Sequence, residues 1–169
     1  MAERQAVALS RLTAENWQTY RAIRLAMLEE SPSAFGSTHA EATSFDERLW
    51  RQRLADNVVI LALVGRSAVG SVMYSEFGMI DLGDCALYGM WVDPGFRGKG
   101  VGRALVDAVV AQARAAGKRR VVLHVVTGND SASHLYERAG FVPTGHTVPS
   151  PLDHDAVEVE MELALRDGP

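Results

Sequence analysis

Leu87-Tyr88-Gly89-Met90-Trp91-Val92-Asp93-Pro94-Gly95-Phe96-Arg97-Gly98-Lys99-Gly100-Val101-Gly102-Arg103-Ala104-Leu105-Val106 is the stretch that decides the fold. It reads as an apolar strand, a turn, a glycine loop and the first turns of a helix. Proline presets φ at Asp93-Pro94-Gly95, and the glycine relieves the turn. Gly98, Gly100 and Gly102 alternate with Lys99 and Val101. Without Cβ atoms, such a backbone can approach a ligand closely. The first N–H groups of the following helix lack intrahelical partners. A helix end of that kind holds anions, and Arg97, Lys99 and Arg103 add positive charge. The stretch therefore predicts a phosphate cradle.

Two common nucleotide loops do not match it. A Walker A loop needs a hydroxyl residue after its Gly-Lys, to reach the metal. Here Gly100 follows Lys99. A dinucleotide fingerprint, Gly-x-Gly-x-x-Gly, would need its last glycine at Arg103 or Leu105. The pattern present is Arg97-x-x-Gly100-x-Gly102. Taken alone, a glycine-rich turn before an ordinary helix explains these six residues equally well.

Size and composition narrow the partners. A chain of 169 residues, 47% hydrophobic and 22% charged, suits one globular domain with its own core. The net charge of −4 argues against a general nucleic-acid surface, so a local basic cluster points to a small anionic ligand. Cys85 is the only cysteine, which rules out an intrachain disulfide; it reads as a buried strand residue sooner than a nucleophile. His134, His146 and His154 have no metal-ligand spacing, so no metal is expected. No apolar run has signal-peptide or membrane-spanning length, which predicts a cytoplasmic protein without a membrane partner. Only residues 1–4 and 166–169 look frayed.

Around the central stretch, the chain reads in the order βααβββαβαββ over a single domain, residues 1–169. The first strand is Ala6–Leu9. A helix capped by Thr13 covers Ala14 to Glu29 and ends at Ser31-Pro32-Ser33. After a loop, Ser44 and Glu47 form a capping box for a helix to Leu54, with Leu49, Trp50 and Leu54 inward. Val58–Val64 and Ala68–Tyr74 form a hairpin. The fourth strand is Ala86–Val92. The next helix runs from Gly100 to Ala116, buries Val101, Ala104, Leu105, Ala108 and Val109, and stops at Gly117. The β-branched run Arg120–Val126 is an interior fifth strand. A short helix, Ser131–Ala139, precedes a sixth strand, Phe141–Gly145, and a loop to Asp155. Ala156–Leu163 alternates apolar with acidic residues, which makes Glu158, Glu160 and Glu162 a solvated face. The fourth and fifth strands are parallel neighbours joined by a right-handed crossover. The expected architecture is a mixed, twisted α/β sheet with helices on both faces.

A second motif gives the reading a family. Asn129, Ala132, Tyr136, Gly140 and Phe141 fall on Asn-x-x-Ala-x-x-x-Tyr-x-x-x-Gly-Phe, and Arg97-x-x-Gly100-x-Gly102 falls on Gln/Arg-x-x-Gly-x-Gly/Ala. Both segments, in this order, resemble the GNAT superfamily of N-acetyltransferases. The likeness is specific from about Ala86 to Phe141.

The resemblance implies a mostly antiparallel GNAT-like sheet whose parallel fourth and fifth strands splay, with a bulge near Gly89. It implies acetyl transfer from acetyl-CoA, without metal, to a primary amine on a small molecule, amino acid or peptide. Met90, Trp91 and Val92 would offer backbone groups to the pantetheine arm, with the Met90 N–H as oxyanion donor. The pyrophosphate would rest on Arg97, Gly98, Lys99, Gly100, Val101, Gly102 and Arg103. Asn129 would hold the arm from the other wall, and Tyr136 would be the general acid. Many members carry a strand-four glutamate base where Ala86 stands. Asp84, Glu76, Tyr88 and His124 are the substitutes at hand, each with a structural role as the simpler reading. A homodimer through the last strands is also raised. The net acidity gives a weak preference for cationic acceptors. The competing function is a non-catalytic acyl-CoA sensor on the same fold, with a nucleotide-binding protein a distant third.

Overall fold

A computed structural model of the chain describes residues 6–78 and 80–165. The expectation of frayed ends falls outside these residues. Among the described residues, seven strands form one sheet: β1 (Val7–Arg11), β2 (Val58–Val64), β3 (Ser67–Ser75), β4 (Cys85–Val92), β5 (Arg120–Val126), β6 (Val142–Pro149) and β7 (Val157–Ala164). Their order across the sheet is β1-β2-β3-β4-β5-β7-β6. Only the β4–β5 pair is parallel.

Among the described residues, five α-helices flank the sheet: α1 (Trp17–Glu30), α2 (His39–Thr43), α3 (Glu47–Asp56), α4 (Val101–Ala115) and α5 (Asp130–Arg138). Each face carries its own core. On one, Val101, Leu105, Val106, Val109 and Ala113 of α4, with Tyr136 and Phe141, cover Ile60, Val72, Leu87 and Leu123. On the other, Tyr20, Ile23 and Met27 of α1 and Trp50 and Leu54 of α3 pack on Val59, Leu61 and Trp91. Fully burying each such aliphatic side chain stabilises by roughly 1.5–3 kcal/mol, so these two cores fix where α1, α3 and α4 can lie.

Several local expectations are corrected. The cap of α3 is Asp46, whose carboxylate accepts from the Leu49 N–H at 2.8 Å, not Ser44. Ser44 closes α2 instead, donating its hydroxyl to the Glu41 carbonyl. The stretch read as a loop contains α2, started by a Thr38–Glu41 capping box. Leu49 is exposed rather than inward. In α4, Val106 and Ala113 are buried along the expected stripe, while Ala104 and Ala108 lie at its margin. β6 continues to Pro149, four residues past Gly145, because it pairs with β7 from Val142↔Glu162 to Pro149↔Val157.

The acidic face of β7 is not simply solvated. β7 lies beside β5, which sets Glu160 opposite His124 and Glu162 opposite Val122. Glu160 Oε2 is 3.5 Å from His124 Nε2, and Glu162 pairs with Arg120.

Candidate active site

The β4–β5 seam is closed at one end and open at the other. The strands are in register only at Cys85↔Val121 and Ala86↔Val122. Buried Asp84 reinforces the closed end, 2.7 Å from Arg120 and 3.1 Å from Arg119. Beyond Ala86 the strands part. β4 bulges there: Ser71 pairs with Trp91 and Met73 with Tyr88, so Gly89 and Met90 together oppose Val72. Gly89 has φ +56°, a left-handed conformation that favours glycine, and the extra residue bends the strand away. The expected bulge and splay are both present.

The gap opens into a cleft of ≈ 460 Å³. Tyr88, Gly89 and Met90 form one wall, and His124, Asn129 and Tyr136 line the other. Its floor reaches α1, α3 and the segment between α1 and α2, through Arg24, Arg53, Phe35 and Ser37. Among the site residues expected from the sequence, Met90, Asn129 and Tyr136 therefore meet at this cleft. Trp91 alternates away from it, buried in the α1–α3 core.

The glycine loop lies where β4 hands over to α4. Gly98 (φ +71°) and Gly100 (φ +86°) are both left-handed, and a Cβ on either would meet nothing within 4 Å. Their positions demand glycine for conformation and leave open space beside the backbone. The first bond of α4 runs from the Ala104 N–H to the Gly100 carbonyl (3.1 Å), so the N–H groups of Val101, Gly102 and Arg103 have no acceptor within the helix. Gly102 has a different reason. A Cβ there would press within 3.0 Å of Leu135 Cδ2, so this glycine lets α5 pack against α4.

The loop cations all have partners within the protein. Arg97 donates to the Val92 carbonyl (2.9 Å) and to Glu30 (2.8 Å). The same Glu30 oxygen accepts from Trp91 Nε1 at 2.9 Å. Hydrogen bonds from Ser31 and Trp91, with the Arg97 charge, hold the Glu30 carboxyl below its ordinary value. Lys99 donates to the Gly95 carbonyl and lies over the Phe96 ring. Arg103 bonds Asp107 and the Arg138 carbonyl. These side chains shape the loop; the backbone amides are what it presents.

The cleft wall is built differently. Asn129 caps α5, its Oδ1 accepting from the Ala132 N–H at 3.3 Å. Tyr136 is buried, with its ring 5.8 Å from Phe141. Burial pushes its phenol pKa well up, so the hydroxyl keeps its proton. Of the base candidates, Asp84 and Glu76 are spoken for: Glu76 pairs with Lys118 and accepts from Tyr74. Tyr88 and His124 do face the cleft. Cys85 is fully buried and its thiol is pushed up to about 12, which suits the packing role.

Arg24 and Arg53 carried no signal in the sequence beyond helix position. Arg24 donates to the Ser37 hydroxyl (3.0 Å) and lies over Phe35, and Arg53 lies over Phe45. Among the described residues, neither guanidinium lies within ion-pair distance of a carboxylate. Arg53 Nε is buried without a hydrogen-bond partner. Desolvation, with the Arg53 charge nearby, lowers the Arg24 pKa. No group of three or more potential metal ligands occurs among the described residues, and no helix there is long and apolar enough to cross a membrane.

Comparison with known proteins agrees with this geometry. A mycothiol acetyltransferase from Propionibacterium freudenreichii is 49% identical over 55 residues, 32% of this chain and 18% of that protein. A spermidine N(1)-acetyltransferase from Vibrio cholerae is 30% identical over 111 residues, 62% of this chain and 63% of its own. The chain thus spans about a fifth of the first relative and under two thirds of the second. YncA from Salmonella typhimurium, solved with its cofactor acetyl-CoA, superposes with a TM-score of 0.75 at 18% identity, over 97% of this chain and 96% of that one. At that identity the likeness concerns the fold. The profile of the Acetyltransferase (GNAT) family matches residues 21–141. With the splayed strands, the glycine loop and the profile in agreement, this chain belongs to the GNAT acetyltransferase family.

Proposed function

We propose that this chain is an acetyl-CoA-dependent N-acetyltransferase that moves an acetyl group to a primary amine by direct attack in a ternary complex. The observation that carries the proposal is the seam. β4 and β5 pair at only two positions and then diverge into a cleft with Tyr136 on its wall, and the open loop of Gly98 and Gly100 follows β4 on its way into α4. The relatives' names support acetyl transfer and differ in the acceptor.

Acetyl-CoA, when bound, supplies an acetyl group already activated as a thioester. The residues present fit such a ligand. The amides of Gly98 to Arg103 would hold its diphosphate, since those opening α4 have no acceptor within the helix. The backbone of Met90 to Val92, on the open length of β4, would pair with its pantetheine amides in the manner of an added strand. The Met90 N–H is the donor for developing negative charge at the carbonyl oxygen. With its Oδ1 committed to the α5 cap, Asn129 has its amide NH₂ left for the arm. Burial keeps Tyr136 protonated in the free protein, and its hydroxyl would give that proton to the departing thiolate, the stronger base as the C–S bond breaks. His124, placed by β5 and backed by Glu160, receives the proton that the attacking amine gives up.

An assay of free thiol released from acetyl-CoA across a broad amine panel tests this. Amine-dependent release, lost on Tyr136→Phe while CoA still binds, is the expected result. Tight CoA binding with no release from any amine would replace the enzyme with a sensor. ATP or NAD binding without CoA affinity would overturn both.

A further inference from the structure

The acceptor end of the cleft holds two arginines that the protein itself does not neutralise. Arg24 comes from α1 and Arg53 from α3, helices separated by a loop and a further short helix. Both line the cleft beside Phe35 and Ser37. Arg51, Arg97, Arg103, Arg119 and Arg120 each pair with a carboxylate, whereas Arg24 and Arg53 do not although both are half-buried in the cleft, where a charge is costlier to leave unpaired than on the open surface. Their contacts are aromatic faces and one hydroxyl, and Arg53 Nε is a buried donor with nothing to bond. Two like charges that feel each other in a partly desolvated cleft, one with a buried donor left unfilled, cost stability unless an anion joins them.

Position narrows the anion. A Cβ on Gly89 would lie 3.4 Å from Arg24 Nη1. Gly89 belongs to the bulge next to Met90, where the acetyl group is to be held. The anion therefore sits a few bonds from the attacking nitrogen, not at the far end of a long chain. The cleft is also charged in the opposite sense across from it. Glu158 and His124 line it from β7 and β5, with Glu160 behind His124. An acceptor that is cationic at one end and anionic at the other meets both.

We propose that the acceptor is a small amino acid or close analogue, whose carboxylate is gripped by Arg24 and Arg53 while its amine points toward His124. The guanidinium fork matches a carboxylate. Polyamines and lysine side chains would set a second cation, or nothing, against the two arginines. This rests on the acetyltransferase reading, and the test separates the two.

The protein amino acids, their carboxamides and spermidine are compared as acceptors in the thiol-release assay. Binding of each amino acid to the CoA-loaded protein is measured in parallel by calorimetry. Free acids should exceed their carboxamides in kcat/KM by about tenfold or more, the loss expected when charged hydrogen bonds go unmade. Arg24→Gln and Arg53→Gln should raise KM for the acid by roughly tenfold, with KM for acetyl-CoA and for the carboxamide within about twofold. Carboxamides or spermidine used as well as the acids would overturn the proposal and leave the transferase intact. If no acceptor turns over, calorimetry still decides the anion site. Arginine-dependent amino acid binding would uphold it, and no binding across the set would overturn it.

Discussion

The cations of the glycine loop and the cations of the cleft have opposite fates. Arg97, Lys99 and Arg103 are tied to Glu30, Asp107 and backbone carbonyls. Arg24 and Arg53 lack a carboxylate, and the Tyr136 hydroxyl likewise bonds no protein group among the described residues. The loop spends its charge on its own shape and offers backbone amides. The cleft leaves the Arg53 Nε donor and the Tyr136 hydroxyl without a partner among the described residues. The lesson is that a positive residue near a phosphate loop need not be a phosphate ligand, and that an unpaired polar group is a better guide to chemistry than a charged one.

Substitutions can break that division. The largest expected effect is Tyr136→Phe: kcat should fall by about 10²–10⁴, the usual contribution of a positioned proton donor. Because the hydroxyl serves no internal partner, Tm and CoA affinity should barely move. A parallel loss of Tm would place Tyr136 in the packing and not in the reaction.

On the loop side, Gly100→Val forces a β-branched residue into left-handed backbone. A strain of about 1–3 kcal/mol should displace the amides and weaken CoA by roughly tenfold or more in a calorimetric titration. Unchanged affinity would remove the loop from the binding site. Lys99→Met is the counterpart. Lys99 is already held by Gly95 and Phe96, so CoA affinity should fall by no more than about tenfold, the scale of one exposed charge. If Lys99→Met costs more than Gly100→Val, the side chain and not the backbone grips the diphosphate.

The smallest effect concerns Glu30. Its carboxyl sits below the ordinary range in the folded protein, so its stabilising contribution is complete above the unfolded value and is lost as pH falls through the folded one. The Arg97–Glu30 pair is partly exposed, at 47% and 32% of its side chains, which limits the contribution to about 1 kcal/mol or less. The Tm gap between the wild type and Glu30→Gln should therefore be small at neutral pH and close in acid. A gap that persists in acid would show that the glutamine disturbs packing and not charge.

How much could be read in advance depended on how local the cause was. Val58–Val64 and Arg120–Val126 were legible to the residue, since β-branched runs in interior strands advertise themselves. α2 was missed although Thr38 and Glu41 carry a capping box, because the neighbouring Ser44–Glu47 box competes for the same reading. The acidic face of β7 was misjudged because alternation tells which residues share a face and nothing about which strand lies beside it. The weak preference for cationic acceptors, drawn from net charge, and the amino acid acceptor proposed from the two arginines point to different compounds, because a net charge averages over the whole surface whereas the arginines act at one place in the cleft.

By itself, the sequence determined the family, the strand that bulges, the loop that must be glycine and the tyrosine that faces the gap. All of these lie within one stretch of backbone or one helical turn, where spacing along the chain sets geometry in space. Only the tertiary structure decided that the loop cations are occupied, that Gly102 serves helix packing and that Arg24 and Arg53 meet in the cleft. Those facts depend on which surfaces the two cores press together, and residues far apart in the chain carry no local trace of the partner they will meet.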